Sequence, residues 1–170
     1  MRAFMLLALN GGLGNNDVGL MERKHIKDGW VDFPRPKTAA DRKFPLWKET
    51  QKAIDAVAND EGLLFTTRFG SSWSVEGISA IRFEFWRLCK DCELAQPGRG
   101  FYSLRHCFRT VADGCRDQVA INHIMGHSSQ HISATYIEWI EPERLQAVVD
   151  HVYAWVKPMF RKPAKKAGAK

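Results

Sequence analysis

Two neighbouring stretches decide how this chain is read: Tyr102-Ser-Leu-Arg-His-Cys-Phe-Arg109 and, downstream, Gly126-His-Ser-Ser-Gln-His-Ile-Ser-Ala-Thr-Tyr136. In the first, Leu104, Phe108 and Val111 recur at helical spacing and form an apolar stripe, while Arg105 and Arg109 lie four apart. Taken alone, that is the pattern of a solvated basic face. In the second, Gly126 and Ser128-Ser129 interrupt a helical pattern that begins near Gln118, so a turn is expected there. His123, His127 and His131 fall four apart, and on one unbroken helix they would line a metal site. The break at Gly126 argues against that helix, and no Glu stands in the pattern of a zinc protease. Neither a metal nor a cofactor is expected.

Working outward, Arg2–Leu9 reads as a short helix closed by Gly11, Gly12 and Gly14, and Asn15-Asn16-Asp17 as the cap of a second one reaching Met21. Lys24–Lys27, a turn at Asp28-Gly29, and Trp30–Phe33 form a hairpin signal, with Arg42–Leu46 as a third strand. Helices are expected over Lys48–Asn59, from Ser74 or Ser79 to Lys90, and over Tyr102–Ala112, Gln118–Met125 and Pro142–Val156. Pro142 between Glu141 and Glu143 is a helix-start signature. The fold class is α+β and mostly helical, with a small antiparallel three-stranded sheet near the N-terminus. The domain is expected over residues 1–156, with 157–170 as a basic, disordered tail.

The 170 residues hold 25 Lys+Arg and 19 Asp+Glu, a formal charge of +6. Six of the basic residues (Lys157, Arg161, Lys162, Lys165, Lys166, Lys170) lie in the last 14 positions, which carry no acidic residue. The rest of the chain balances at zero, so a case for DNA must rest on arrangement rather than on net charge. Cys89, Cys92, Cys107 and Cys115 show no framework spacing of the secreted kind, which suits a reducing, cytoplasmic setting. Met1–Leu9 lacks a cleavage site for a signal peptide, and no apolar run approaches the length of a membrane span.

The joint pattern of Leu104-Arg105-His106, Gly126-His127-Ser-Ser and Tyr136 resembles the catalytic domain of the tyrosine recombinase (phage integrase) family. Pro34-Arg-Pro-Lys37-Thr and Phe44-Pro-Leu46 look like that family's β-hairpin lysine segment, and Leu64-Phe-Thr-Thr67 like the strand after the next helix. The resemblance spans about Ala3 to Val156 and implies an integrase-like DNA breaking-rejoining fold acting on double-stranded DNA. It also implies roles. Tyr136 would attack the scissile phosphate and form a 3'-phosphotyrosine link, and Arg105 and His127 would hold the phosphate oxygens. Lys37 would protonate the departing sugar oxygen. The chemistry is coherent: strand breakage without a metal needs a side-chain nucleophile and donors for extra negative charge on phosphorus. A phenol of pKa about 10 needs positive surroundings or a base to react at neutral pH. A homo-oligomer assembled on DNA is the implied state, with Pro142–Val156 as a helix that packs on its own domain or on a neighbour.

Two positions depart from the family pattern. Gly12-Leu13-Gly14-Asn-Asn-Asp17 keeps the frame of the first catalytic arginine, but Gly14 stands in its place. Tyr102 stands where the family has a histidine. The tyrosine still donates a hydrogen bond. The glycine does not replace a guanidinium, and loss of one such donor costs on the order of 10²–10³ in rate. Arg23 and Arg35 are the nearby arginines that would have to compensate. The chain starts at the first catalytic helix, so the family's N-terminal DNA-clamping domain is expected to be absent. The expected protein is thus a recombinase with an incomplete active site, or a DNA-binding module on the same fold that does not cut.

Overall fold

The computed structural model describes residues 1–75, 78–127 and 139–160. Among the described residues, seven α-helices run in chain order: α1 (Arg2–Gly11), α2 (Asn15–Leu20), α3 (Lys48–Asp55), α4 (Ala80–Asp91), α5 (Ser103–Ala112), α6 (Gln118–Met125) and α7 (Pro142–Val156). Between α2 and α3 lie β1 (Ile26–Lys27), β2 (Trp30–Asp32) and β3 (Lys43–Pro45), an antiparallel sheet in that spatial order. Ile26 faces Val31, and Val31 faces Phe44. The β1–β2 turn is Asp28-Gly29 with φ of 51° and 76°, the pair of positive values that a two-residue type I′ hairpin requires.

A second, two-stranded hairpin, β4 (Ser74–Val75) with β5 (Ile78–Ser79), precedes α4 and was not expected from the sequence. It settles the start of that helix: Ser79, not Ser74, occupies the cap position. Helix α3 ends at Asp55, earlier than its periodicity implies. Ile54 is its last buried apolar residue and Val57 is 62% exposed, so packing gives no reason to continue. At the other end, Lys157–Phe160 forms a 3₁₀ turn, with Phe160 set 6.2 Å from the Tyr153 ring, so order extends past residue 156. The rest of the expected tail, 161–170, lies outside the described residues.

The core surrounds α1. Leu7 and Ala8 of that helix meet Phe108 of α5, Val149 and Val152 of α7, and Phe44 of β3, all fully buried. Two polar groups lock the sheet to this helical layer. Asn10 is buried: its Nδ2 donates to the Pro45 carbonyl (2.9 Å) and its Oδ1 accepts from the Trp47 amide (2.8 Å). Trp47 Nε1 donates across to the Val149 carbonyl at 3.2 Å. Helices α6 and α7 are clamped by Asp117, which caps α6 through the Ala120 amide and takes a two-pronged grip from Arg144 at 2.8 Å for each bond. Burial of this layer brings the start of α2, the β2–β3 loop, the start of α5 and the end of α6 to one side of the molecule.

Candidate active site

Arg105 sits in the first turn of α5 on the helix's inward face and is only 2% exposed. Its donors are committed to the protein. Nη1 donates to the Gly12 carbonyl, and Nη2 donates to the Met125 carbonyl (2.9 Å) and approaches His127 Nε2 (2.9 Å). One guanidinium thus ties the α1–α2 turn to the end of α6. A guanidinium has no acceptor, so His127 Nε2 must be the acceptor and its proton sits on Nδ1. That neutral form is the favoured one. Desolvation first, then Arg105, Arg35 and Arg109, hold the His127 pKa below the usual histidine value. Arg105 is itself pulled down by burial, then by the neighbouring Arg35, with Asp17 acting in the opposite sense. It stays a cation, as arginine does in proteins.

Asp17 is the carboxylate of the site. It is the third residue of α2, and its Oδ2 accepts from the Gly14 amide at 2.8 Å, half of a capping box. The same oxygen lies 3.1 Å from Arg42 Nη1 and 3.9 Å from Arg105 Nη1. Arg42 also donates through Nε to the Phe33 carbonyl at 3.0 Å and is 1% exposed. Sequence reading missed Arg42 as part of the site. The available signal was its position two residues before Phe44 in an extended segment, which puts both side chains on the inward face.

The β2–β3 loop carries Arg35, Lys37 and Thr38 onto the end of α6. Thr38 Oγ1 and Arg35 Nη1 both point to the Gly126 carbonyl, at 3.3 and 3.4 Å, the arginine contact spanning 91 residues of chain. Gly126 is the helix cap in the left-handed conformation, φ 63°, and it turns the chain outward to His127. That breaks the helix between His123 and His127, so the two do not share one helical face, as the sequence implied. Lys37 is exposed at the mouth of a cleft of about 890 Å³, lined also by Gly14, Asp17, Arg35, Arg82 and Tyr102. Arg23, the other candidate compensating arginine, lies 3.9 Å from Asp55 and does not line this cleft.

The two departures from the family pattern touch each other. A Cβ placed on Gly14 would lie 3.3 Å from Tyr102 Cε2 and 3.5 Å from Asp17 Oδ2. The tyrosine ring, larger than a histidine, therefore takes up room beside position 14. Tyr102 is 46% exposed and its ring meets His106 edge-on at 5.1 Å. Lys37, Tyr102 and Gly14 thus line one cleft, whereas Arg105 and His127, in contact with each other, do not line it and are joined to it through Asp17. Tyr136 lies outside the described residues, as do Ser128, Ser129 and His131. Among the described residues, no helix is long and apolar enough to cross a membrane.

The same architecture occurs in solved integrases. The chain superposes on the integrase of mycobacterium phage Brujita with a TM-score of 0.67, at 15% identity over 97% of this chain and 54% of that one. It matches a lambda integrase dimer bound to a COC' core site with a TM-score of 0.60, at 22% identity over 82% of this chain and 44% of that one. The XerH site-specific recombinase, bound to difH substrate before cleavage, gives a TM-score of 0.60 at 18% identity, over 82% of this chain and 43% of that one. The fold is that of the tyrosine recombinase catalytic domain. The chain spans about half the length of these structures. No protein-family model matches the sequence. No curated protein matches it significantly either.

Proposed function

We propose that this domain breaks and rejoins DNA strands in site-specific recombination or integration, with Tyr136 as the nucleophile and no metal or other cofactor. The observation that carries the reading is that Lys37 and Tyr102 line one cleft of an integrase fold while Arg105, behind it, pairs with Asp17 of that cleft and holds His127. In this reading Tyr136 attacks phosphorus, the sugar oxygen leaves with a proton from Lys37, and the 3'-phosphotyrosine link conserves the bond energy for rejoining. Arg105 acts from behind: it fixes the turn that presents His127, whose Nδ1–H is the donor left for a phosphate oxygen. Solved neighbours of the fold are bound to a difH substrate and, as a dimer, to a COC' core site, and from them we extend double-stranded DNA as partner, and assembly on it, to this chain.

A second reading is favoured by one observation. Gly14 provides no guanidinium and Arg105 is buried on backbone carbonyls, which suits a DNA-binding module that does not cut. A pool of nicked duplexes with randomised sequence around the nick separates the two. The strand-breaking reading expects a protein–DNA adduct that survives denaturing electrophoresis with the native chain and vanishes in Tyr136→Phe. The binding-module reading expects salt-sensitive binding by both proteins and adduct from neither.

A further inference from the structure

Three arginines converge on this region, and they differ in what their donors do. Arg42 and Arg105 are buried, share the Asp17 carboxylate, and are bonded to backbone carbonyls. Arg35 is half-buried and held far less tightly. Among the described residues it has no carboxylate within ion-pair distance, and its one side-chain hydrogen bond is the long 3.4 Å contact to Gly126. Its Nε is buried without a hydrogen-bond partner among those residues. The aliphatic stem is nonetheless fixed. It lies so close over Gly126 that a Cβ there would fall 2.8 Å from Arg35 Cβ and 3.2 Å from Cδ. Arg35 lines the same cleft as Gly14, Lys37 and Tyr102.

We propose that Arg35, brought in from the β2–β3 loop, is the phosphate-binding guanidinium of this site and takes over the task for which position 14 has no side chain. The assignment rests on the strand-breaking reading of the cleft. A fixed stem carrying a guanidinium whose one hydrogen bond is long is pre-organised for an oxyanion, and guanidinium geometry suits two phosphate oxygens at once. Placing a cation near Arg105 and His127 without a carboxylate is unfavourable in the empty site. An arriving phosphate removes that cost, so the same placement that strains the free protein strengthens anion binding. The site has then exchanged the source of its guanidinium, from the start of α2 to the hairpin loop beside the general acid Lys37.

The test is titration of the full chain with inorganic phosphate, followed by NMR at the arginine Nε–H groups and the His127 ring. Arg35→Gln keeps the stem over Gly126 and removes the charge; Arg35→Gln combined with Gly14→Arg restores a guanidinium from the other side. The expected result is that phosphate shifts Arg35 and His127 together in the native chain. Affinity should fall about tenfold or more in Arg35→Gln, the scale of a lost charged hydrogen bond, and recover in the double variant. If Arg35→Gln binds phosphate as the native chain does, with His127 and Arg105 still responding, the assignment to Arg35 is overturned while the phosphate site stands. If none of the three responds in the native chain, the phosphate site and the assignment both fall. Urea midpoints within the native range keep misfolding out of the comparison.

Discussion

Asp17 is one carboxylate facing two buried guanidiniums, Arg42 at 3.1 Å and Arg105 at 3.9 Å, and it also takes the Gly14 amide. Removing it leaves buried positive charge without compensation, the costly half of breaking a buried pair. Asp17→Ala should therefore destabilise the fold by about 3–5 kcal/mol, read as a drop in the urea midpoint at pH 7.5. A loss below about 1 kcal/mol would mean that the pair is solvated, as surface pairs are. Little of this cluster was legible beforehand. Asp17 reads as part of a helix cap and Arg42 as the start of a third strand, because pairing between residues 25 positions apart leaves no local pattern. By contrast, the spacing of Arg105, His127 and Lys37 singles them out as candidates for the site. The local hydrogen bonding of these side chains is not legible in that spacing. Arg105 reads as a fork offered to phosphate, yet the packing of α5 turns it inward onto the Gly12 and Met125 carbonyls.

The element that organises the site is the turn ending α6, where Gly126 receives the β2–β3 loop. Its φ of 63° is a left-handed value that costs an ordinary residue about 1–2 kcal/mol. A methyl group there would also meet Arg35 Cβ at 2.8 Å. Gly126→Ala should lower stability by at least that amount and loosen the loop. Trypsin should then cut after Lys37 faster than in the native protein under conditions where the rest of the chain resists; an unchanged rate would show that the loop does not dock on this turn. At this scale the sequence was informative. Long helices declare themselves through apolar spacing, and Asp28-Gly29 through its turn chemistry. The β4–β5 hairpin escaped because two-residue strands are too short to show alternation.

For the whole molecule, acid is the condition to which the fold is most exposed. Desolvation is the leading cause that holds His25, His123 and His127 below the usual histidine pKa. Below about pH 6.5 the unfolded chain takes up protons at these positions while the folded one resists, so the unfolded state binds more protons and stability falls. The contribution is complete above that pH. Asp117, held low chiefly by its hydrogen bonds from Arg144, extends the loss to lower pH as its carboxylate is protonated. The urea midpoint should decline steadily from pH 7.5 to pH 5; a flat profile would contradict the partial desolvation that keeps these histidines neutral. DNA affinity has a different dependence. The basic positions of residues 157–170 account for the chain's whole excess charge, so removing residues 161–170 should weaken non-specific DNA binding at low salt and leave it little changed at high salt. The central claim concerns neither charge nor stability but a bond between Tyr136 and phosphorus. Its most direct measurement is mass spectrometry of the nuclease-trimmed protein recovered from the nicked-duplex pool. The account predicts a nucleotide attached through phosphate to the peptide containing Tyr136; an adduct on any other residue, or no adduct from the native chain, would contradict it.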